Sequence, residues 1–599
     1  MLIDSNRFST YYTKIIKNGL NSDSSILIFV SSVCDSLCAC RILTSLLRVD
    51  NIAYKIKQVM GYEDIKHAND TIIKDNMDLR SVIFLNCGGS VDLSSVLTLS
   101  EDTICYVIDS HRPISIENIR SPKQIVVIND GSILLDDVPE LLTDEQQELL
   151  EQHSDDEDDV QDEEDEEEEY DDDGEEHDEN ASTHQTKRKH QTEKGKSLKK
   201  KRDIDHYYEY SYYAYPIAPT FYSLCRQISY DTNEMLWMAI IGLTDTFING
   251  RLNREAYDSI LISLQGDIIA KNVSTNDHEN DMDLSIGYIS PSEEPQLMLY
   301  RHWSLFNSFY YSSYVASKLG TWNSQGASEL YSLFAKMGIP LKKCKEQFTF
   351  FNKKSKNDLY YLLSTNLEDY GFDNFYYHSY CRRYDYKMLL CASDIVYCIS
   401  ALLEMRSLNK DDSSWELNWN NAYDALLCKT NESILTKGIH YAQIQQESIV
   451  RFGISIIEKK LIHISEHFRY AIVNDITEED VEMFTKPLIL NRLTSFIINV
   501  FKNQGKWTGR SALPFILCIL NSNTNTYTVL GVPCSQWGET KLNQFTHFFK
   551  LAIDSIKPRN KLDSFSGTII EIYKDDLLYF IDELHTQLTQ HYINATLNE

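Results

Sequence analysis

The sequence predicts an α/β protein built on a parallel sheet, with a mainly helical middle domain and a smaller α/β domain at the carboxyl terminus. Short runs of β-branched and apolar residues alternate with helical patterns through the first 130 residues, as expected for strands that are buried on both faces. The chain has 599 residues, enough for several domains, and 42% of them are apolar. This composition excludes a fully disordered or fibrous protein.

Five runs near the amino terminus have the length and composition of buried parallel strands: residues 26–30, 52–59, 81–85, 104–108 and 125–128. Between the first two runs, Cys40, Leu43 and Leu47 recur on one side of a helical pattern, which indicates a right-handed βαβ unit. Open α/β sheets place their functional sites at the carboxyl ends of the strands. We therefore expect the polar residues that follow these strands to meet at one edge of the sheet.

The residues that follow the strands are the types found in metal-dependent phosphoesterases. Asp35 follows the first predicted strand, Asn86 the third, Asp109 and His111 the fourth, and Asp130 the fifth. A pair of metal ions about 3.5 to 4 Å apart needs several bridging carboxylates and histidines, and these ligands are few. The alternative is a structural role, in which Asp35 caps the following helix and the Asp109 and His111 side chains hydrogen-bond their own loop.

Residues 150–205 form an insertion of unusual composition, in which an acidic run precedes a basic one. Residues 155–179 hold 20 of the 89 acidic residues, so the rest of the chain carries a formal charge of only −12 out of −32. Such like-charge blocks cannot bury a core, and we predict that the insertion is disordered and dispensable for folding. The mildly acidic remainder disfavours coating of duplex DNA by bulk charge but leaves room for a narrow basic groove.

Two basic clusters in the insertion, separated by nine residues, have the form of a bipartite nuclear localisation signal. Their members are Lys187, Arg188, Lys189, Lys199, Lys200, Lys201 and Arg202. An extended basic segment can lay two charge clusters into the acidic grooves of an import receptor, so we expect a nuclear protein. The alternative is that these residues act as a counter-charge for the neighbouring acidic run.

The composition changes again on either side of residue 485. Residues 206–484 are rich in Tyr, Leu and Ile at helical spacing, which predicts a mainly helical middle domain after the first α/β domain of residues 1–149. In residues 485–599 strand-like runs alternate with helical stretches, which predicts the second, smaller α/β domain. The strand-like runs are residues 513–520, 526–532 and 567–573.

The cysteine pattern and the hydropathy exclude several classes of protein. The 13 cysteines include no CxxC pair, which disfavours a structural zinc site, and Cys38, Cys40 and Cys518 lie in apolar runs where a thiol behaves as a small buried hydrophobe. No signal peptide opens the sequence, and no apolar run approaches the roughly 18 to 20 residues that cross a bilayer. We therefore expect reduced thiols and no membrane partner.

Three segments carry a family resemblance. VCDSLCACRIL at 33–43, FLNCGGSVDL at 84–93 and YVIDSHRP at 106–113 resemble the first three motifs of the DHH phosphoesterase superfamily. Their degenerate form is similar to that of one eukaryotic family, the cell division cycle protein forty-five family. Later segments are similar to that family in order and spacing, as is the position of the charged insertion. These segments are residues 299–323, 333–341, 389–404 and 445–462.

The resemblance implies a RecJ-like DHH domain, a helical middle domain and a carboxyl-terminal domain like the one associated with DHH enzymes. Active members of the superfamily carry Asp-x-Asp, Asp and Asp-His-His in the three motifs. This sequence has Val33 for the first Asp, Asn86 for the Asp of the second motif, and Ser110 for the first His of the third. The resemblance therefore implies no hydrolysis, no cofactor and no metal at a degenerate site made of Asp35, Asn86, Asp109 and His111.

The same resemblance implies a non-catalytic subunit of the eukaryotic replicative helicase, needed for initiation and elongation of replication. Its expected partners are the MCM hexamer, the GINS complex, replication-origin loading factors, and single-stranded or fork DNA. Segment 297–341 is unusually aromatic and is expected to supply partner-binding surface. The alternatives are an active metal-dependent single-strand exonuclease or phosphoesterase, and an acidic chaperone that would rest on residues 155–179 alone.

Overall fold

The computed structural model describes most of the chain in eleven stretches. They are residues 1–20, 25–121, 124–143, 146, 181–274, 286–384, 388–405, 414–427, 432–534, 542–561 and 564–597. The chain divides into two compact units. The larger unit contains Met1–Ser132 and Ser211–Glu599, and the smaller contains Ile133–Tyr210.

The described residues form strands in both terminal regions and in the middle of the chain. In chain order they are β1 (Leu2–Asp4), β2 (Ile26–Ser31), β3 (Lys55–Val59), β4 (Ser81–Leu85), β5 (Ile104–Ile108), β6 (His111–Arg112), β7 (Ile125–Asn129), β8 (Tyr212–Tyr213), β9 (Ile289–Pro295), β10 (Tyr376–Arg383), β11 (Leu389–Cys391), β12 (Ile462–Ile464), β13 (Arg469–Val473), β14 (Phe515–Asn521), β15 (Thr526–Val532), β16 (Asn560–Lys561) and β17 (Ile569–Tyr573).

Most of the helices lie in the part of the chain that separates the residues of the two large sheets. In chain order they are α1 (Phe8–Gly19), α2 (Cys34–Val49), α3 (Tyr62–Ala68), α4 (Leu93–Val96), α5 (Ile116–Arg120), α6 (Ala181–Tyr208), α7 (Ile217–Gln227), α8 (Asn233–Ile248), α9 (Arg254–Ser274), α10 (Leu305–Tyr311), α11 (Ser313–Leu319), α12 (Ser324–Lys336), α13 (Leu341–Cys344), α14 (Lys353–Asn366), α15 (Ala392–Leu403), α16 (Ser414–Ala425), α17 (Glu432–Glu458), α18 (Glu478–Phe484), α19 (Pro487–Asn503), α20 (Phe545–Ile556) and α21 (Leu577–Leu597).

The predicted parallel sheet is confirmed. Six parallel strands pair in the order β1, β7, β5, β4, β2, β3, so the carboxyl ends of β2, β4 and β5 lie side by side. The strand predicted at 52–59 is shorter, at Lys55–Val59, and β1 was not predicted because three residues carry no periodic signal. The order of the strands brings the loops that follow them to one edge, as the sequence predicts.

One face of this sheet is covered by helices that come from the predicted middle domain. Ile28 and Ile83 of the sheet share a buried cluster with α2, α7 and α8, and α2 packs against both α7 and α8. Helix α8 is buried on nearly every side, including Trp237, which fits a helix that is apolar around its whole circumference. The core of the first domain therefore depends on residues far beyond its predicted end at 149.

The middle region contains a small sheet that the sequence did not predict. Strand β10 pairs antiparallel with β9 on one side and β11 on the other. The aromatic and polar residues of β10 do not follow a two-residue apolar alternation, so they carry a weak strand signal. Apart from this sheet and the short strands β8, β12 and β13, the region is mainly helical, as predicted.

The carboxyl-terminal sheet starts earlier in the chain than predicted. Its strand order is β12, β13, β14, β15, β17, β16, and β13 pairs parallel with β14. The predicted boundary between residues 484 and 485 cuts β12 and β13 from the sheet to which they belong. Their short length hides them beside the long helical pattern of α17, whereas the three predicted strands near 513–520, 526–532 and 567–573 are confirmed.

The prediction of disorder over residues 150–205 is wrong for its basic half. Residues 181–208 form helix α6, because Lys, Arg, Gln and Glu have good helix propensity even where they bury little. Within this smaller unit the Lys200 ammonium forms an ion pair of 2.8 Å with Glu140. The acidic run lies outside the described residues.

The predicted burial of the apolar-run cysteines is confirmed for Cys38, Cys40 and Cys518. No helix in the described part of the chain combines the length and the apolar character that a bilayer crossing requires.

A buried carboxylate joins the middle region to the carboxyl-terminal region. Glu404 follows α15, and its two carboxylate oxygens accept hydrogen bonds from the backbone N–H groups of Leu488 and Ile489, at 2.7 and 2.9 Å. These groups lie in the first turn of α19 and have no partner inside the helix. Burial raises the pKa of Glu404 to about 7, although the two backbone N–H groups oppose that shift.

We expect Glu404 to make stability depend on pH. Because its pKa in the folded protein lies above the ordinary value of 4.5, the folded state binds the extra proton, and the free energy of unfolding falls as pH rises from about 4.5 through 7. Glu404→Gln should remove this fall, so its free energy of unfolding relative to that of the parent should rise by up to about 3 kcal/mol between about pH 4 and pH 8, although its single amide oxygen can accept from only one of the two N–H groups. Chemical denaturation at a series of pH values measures the difference, and exposed Glu101→Gln is the control. Parallel curves for parent and Glu404→Gln would contradict this expectation.

Candidate functional site

Asp35 lies in the first turn of α2, directly after β2, and its side chain is fully buried. One carboxylate oxygen accepts the backbone N–H of Ala218 at 2.9 Å, and the other accepts that of Ile217 at 2.9 Å. Both N–H groups belong to the first turn of α7, where a carboxylate also interacts favourably with the helix dipole. Asp35 therefore caps α7, which begins 182 residues further along the chain. The structural alternative predicted that Asp35 caps the helix that directly follows it, and this detail is wrong.

Asn86 connects Asp35 to the neighbouring loop. Its Nδ2 donates to the Asp35 carboxylate at 3.1 Å, and its Oδ1 accepts the backbone N–H of Ser110 at 2.9 Å. An ionised aspartate at this position could accept from Ser110 but could not donate to Asp35. The amide therefore suits a site in which one carboxylate is kept and its neighbour is neutral.

A second buried carboxylate, Asp245 of α8, completes this cluster. It accepts the backbone N–H of Asp35 at 3.2 Å and the Asn249 Nδ2 at 2.8 Å, and it lies 3.7 Å from the Arg251 guanidinium. Sequence reasoning missed Asp245. The available signal was a single acidic residue inside the apolar run of α8, because such a residue is rarely buried without partners.

The two buried carboxylates share a direction of pKa shift. Burial raises the pKa of Asp35 to about 6, even though its backbone and Asn86 hydrogen bonds oppose the shift. Burial raises the pKa of Asp245 as well, and the Arg251 guanidinium offsets only part of the effect.

Asp109 and His111 form a separate pair beside this cluster. One Asp109 oxygen accepts both the backbone N–H of His111, at 3.0 Å, and its ring Nδ1, at 2.6 Å, while the other accepts the backbone N–H of Gly89 at 2.9 Å. Burial raises the pKa of Asp109, but the charge and hydrogen bonds of His111 outweigh it and leave the pKa below its ordinary value. The His111 ring contacts the ring of Tyr213, with centroids 5.0 Å apart.

The fifth candidate residue, Asp130, is engaged by a different partner. Its carboxylate forms a 3.0 Å ion pair with the Arg112 guanidinium and accepts the backbone N–H of Tyr215 at 2.9 Å. The structure thus brings Asp35 and Asn86 into direct contact and Asn86 against the loop of Asp109 and His111, while Asp130 pairs with an arginine.

The comparisons with known proteins identify the family to which the chain belongs. The family model described as CDC45 matches residues 26–587. The chain belongs to the CDC45 family. It is 34% identical to the cell division control protein 45 homologue of Dictyostelium discoideum, over 98% of both chains, and 32% identical to that of Schizosaccharomyces pombe, over 98% of this chain and 99% of the other. The crystal structure of CDC45 from Entamoeba histolytica aligns over 98% of this chain and all of that one, with a TM-score of 0.68 and 21% identity, which shows a shared fold.

The donor set of this CDC45-family chain does not fit a pair of catalytic metal ions. Every carboxylate oxygen of Asp35 and Asp109 already accepts a hydrogen bond from an N–H group of the protein. Two close cations repel each other unless bridging carboxylates offset the charge, and Asn86 supplies none. The cluster instead holds α2, α7 and the loop after β4 together.

Among the described residues, one other cluster brings together three side chains of metal-ligand type. An arginine binds the carboxylate of this cluster. Glu294, Cys381 and Cys391 place their ligand atoms within 4.8 Å of one another. The Arg301 guanidinium donates to both Glu294 oxygens, at 2.6 and 2.5 Å. Burial raises the pKa of the Cys391 thiol, which disfavours the thiolate that a metal needs. This cluster is a buried ion pair beside two thiols.

A glycine allows the close contact of α8 with Asp35, and its replacement should disturb the site. A Cβ atom on Gly242 would lie 2.6 Å from the Asp35 Oδ1 and 2.6 Å from the Ala218 Cβ. We expect Gly242→Ala to lower the free energy of unfolding by roughly 2 to 3 kcal/mol. Gly266→Ala is the matched control, because this helical glycine has open space around it and should gain up to about 1 kcal/mol. Equal effects in denaturation experiments would argue against the close contact.

Replacement of the bridging amide should test its role as a donor to Asp35. Asn86→Asp adds a third carboxylate to the cluster of Asp35 and Asp245, at the 3.1 Å contact with Asp35, and we expect a loss of roughly 1 to 3 kcal/mol at pH 8. The loss should shrink at pH 5, because two adjacent carboxyls can share a proton and their folded-state pKa values rise. Asn323→Asp is the control, since its Oδ1 only accepts, from Gly326 N–H at 2.7 Å. A loss independent of pH would contradict the reading of Asn86 as a donor to a charged Asp35.

Proposed function

We propose that this chain is a non-catalytic DNA replication factor that joins the MCM hexamer and the GINS complex as a subunit of the replicative helicase. Membership of the CDC45 family over nearly the whole chain supports the role in replication. The observation that supports the non-catalytic part is the hydrogen-bonded state of Asp35, whose oxygens bind the first turn of α7 and Asn86. A carboxylate occupied in this way stabilises the fold and has little capacity left for a metal ion.

Segment 297–341 is the surface that we propose for helicase assembly. Its inner face is a core of its own, containing Leu305, Phe309 and Phe334. The outer face of α12 carries Ser328, Ser332 and the 43% exposed ring of Tyr331. Of the ten aromatic side chains of the segment, three are buried and six are half-buried, and the outer face of α12 is available to a partner.

The assembly test uses the tagged full-length chain mixed with purified MCM and GINS of the same organism. We expect a stoichiometric complex for the parent, and a weakened one for the double variant Ser328→Glu with Ser332→Glu, because both positions are exposed and helical. The double variant Gln265→Glu with Ala270→Glu adds the same charge to an exposed face of α9 and is the control. Size-exclusion chromatography measures the complex. The absence of any complex for the parent would refute the proposed function. Intact assembly of the α12 variant would refute only the proposal that this face of α12 takes part in assembly.

An assay of DNA hydrolysis distinguishes the proposed non-catalytic role from the alternative of an active enzyme. The purified chain is incubated with labelled single-stranded DNA in millimolar manganese or magnesium, and we expect no turnover because the site cannot hold two ions. Turnover that co-purifies with the chain and disappears in Asp109→Ala would favour the single-strand exonuclease or phosphoesterase.

Nuclear import is the localisation that we propose, through the basic clusters at 187–189 and 199–202. Lys199, Lys201 and Arg202 are exposed on α6, which leaves the second cluster accessible to a receptor. Tagged protein with Lys199, Lys200, Lys201 and Arg202 changed to Ala should accumulate in the cytoplasm, as fluorescence microscopy would show. In the control, the three lysines of this set are changed to Arg and Arg202 is kept, so the positive charge is preserved. Nuclear accumulation of the Ala variant would contradict the signal.

A further inference from the structure

A lysine-rich segment stands out from the acidic background of the chain. Residues 341–356, hereafter the lysine segment, contain six lysines and one glutamate, whereas the whole chain has a formal charge of −32. The segment includes α13, a short turn and the start of α14. An acidic protein offers many carboxylates with which such lysines could pair, so their actual contacts are informative.

Five of the six lysine side chains of this segment are described by the structure, and none of these five forms an ion pair with a described carboxylate. Lys343 donates to the Ser355 hydroxyl at 2.8 Å, Lys356 donates to the Thr349 carbonyl at 3.0 Å, and the Lys345 ammonium lies 5.1 Å from the centre of the Phe306 ring. Two lysines just outside the segment, Lys318 and Lys336, do pair with aspartates, at 3.5 and 3.1 Å. The positive charge of the segment is therefore available to an anionic partner.

Three exposed aromatic rings lie within or directly after the lysine segment in the sequence. The side chain of Phe350 is 75% exposed and lies in sequence between the two groups of lysines, while Tyr361 and Tyr360 follow on α14 at 69% and 51%. The backbone at Phe350 is held by a single 3₁₀ turn whose neighbours Phe348 and Phe351 are buried, with ring centroids 5.0 Å apart. The exposed ring is thus carried on an ordered base, which lowers the entropic cost of binding.

The combination of unpaired lysines and exposed rings matches the chemistry of single-stranded nucleic acid. Lysine ammonium groups bind phosphates, and nucleobases of any identity stack on aromatic faces once they are released from a duplex. An acidic peptide would satisfy the lysines but would give no stacking partner to Phe350, to Tyr361 or to the exposed part of the Tyr360 ring, whose centroid lies 4.9 Å from that of Tyr376. We propose that the lysine segment, together with these three rings, binds single-stranded nucleic acid. The proposal rests on the replication role proposed above and assigns a surface to its DNA contact.

The lysines should determine the salt dependence of binding. Fluorescence anisotropy with the full-length chain and a labelled oligothymidylate, over a series of salt concentrations, gives the slope of log K against log salt. The triple variant Lys342→Ala, Lys345→Ala, Lys354→Ala should bind more weakly and reduce the magnitude of this slope by about 2, since each phosphate contact on a single strand contributes about 0.7. Lys17→Ala, Lys55→Ala, Lys74→Ala is the control, because these three lysines are exposed elsewhere and their removal changes the net charge equally.

The rings should determine how much the bases contribute. Phe350→Ala should weaken binding of the oligothymidylate roughly 5- to 150-fold while leaving the salt slope unchanged. The same variant should bind an abasic oligomer of equal length like the parent. Tyr579→Ala removes a ring that is 68% exposed on α21 and is the control. Circular dichroism melting verifies that all variants fold, as expected for exposed positions.

Each outcome has a defined meaning. Parent-like binding and slope in the lysine variant, or parent-like binding in Phe350→Ala, would overturn the proposal. If the lysine variant no longer binds a polyglutamate peptide but still binds the oligothymidylate like the parent, the surface binds an acidic protein instead. Assembly with MCM and GINS is measured on the same variants. Failure of the parent to assemble refutes the proposed function, whereas assembly with no oligonucleotide binding refutes only this surface.

Discussion

The hydrogen bonds of the buried Asp35 carboxylate are the interaction on which the arrangement of the first domain depends. One side chain after β2 accepts from two backbone N–H groups of α7 and from the amide of Asn86. A buried carboxylate without such donors would cost several kcal/mol, and the first N–H groups of a buried helix would also be unsatisfied. The contact therefore satisfies both the buried carboxylate and the first N–H groups of α7. It also holds α7, which begins at residue 217, against the parallel sheet.

This constraint explains the hydrogen bonds of the other polar residues at this edge of the sheet. A catalytic centre needs carboxylate oxygens that face metal ions, whereas here the same edge of the sheet presents them to N–H groups. Asn86 can donate where an aspartate could not, and the Asp109 carboxylate holds the His111 imidazole and the Gly89 backbone. The Gly242 position keeps α8 close enough to Asp35 that a methyl group would collide with it. The polar residues at this edge of the sheet therefore hold neighbouring elements together.

The surfaces that we propose for partner binding belong to a different hydrophobic core from that of the parallel sheet. The outer face of α12 and the lysine segment are carried by a separate aromatic core that includes Phe309 and Phe334. Local cores of this kind hold exposed residues in fixed positions, which favours recognition of large partners. The buried Glu404, which binds the first turn of α19, links the middle region to the carboxyl-terminal region and couples their packing.

The sequence by itself determined the parallel strands, the polar residues at their carboxyl ends and the family, because these features follow from local runs such as 81–85 and 104–108 and from short motifs. The tertiary structure alone decided what those residues do. Asp35 and its partner Ala218 are separated by 183 positions, and the contact of Asp35 with Asp245 spans 210. No local pattern encodes such a pairing, since periodicity reports which face of an element is buried but not which distant element covers it.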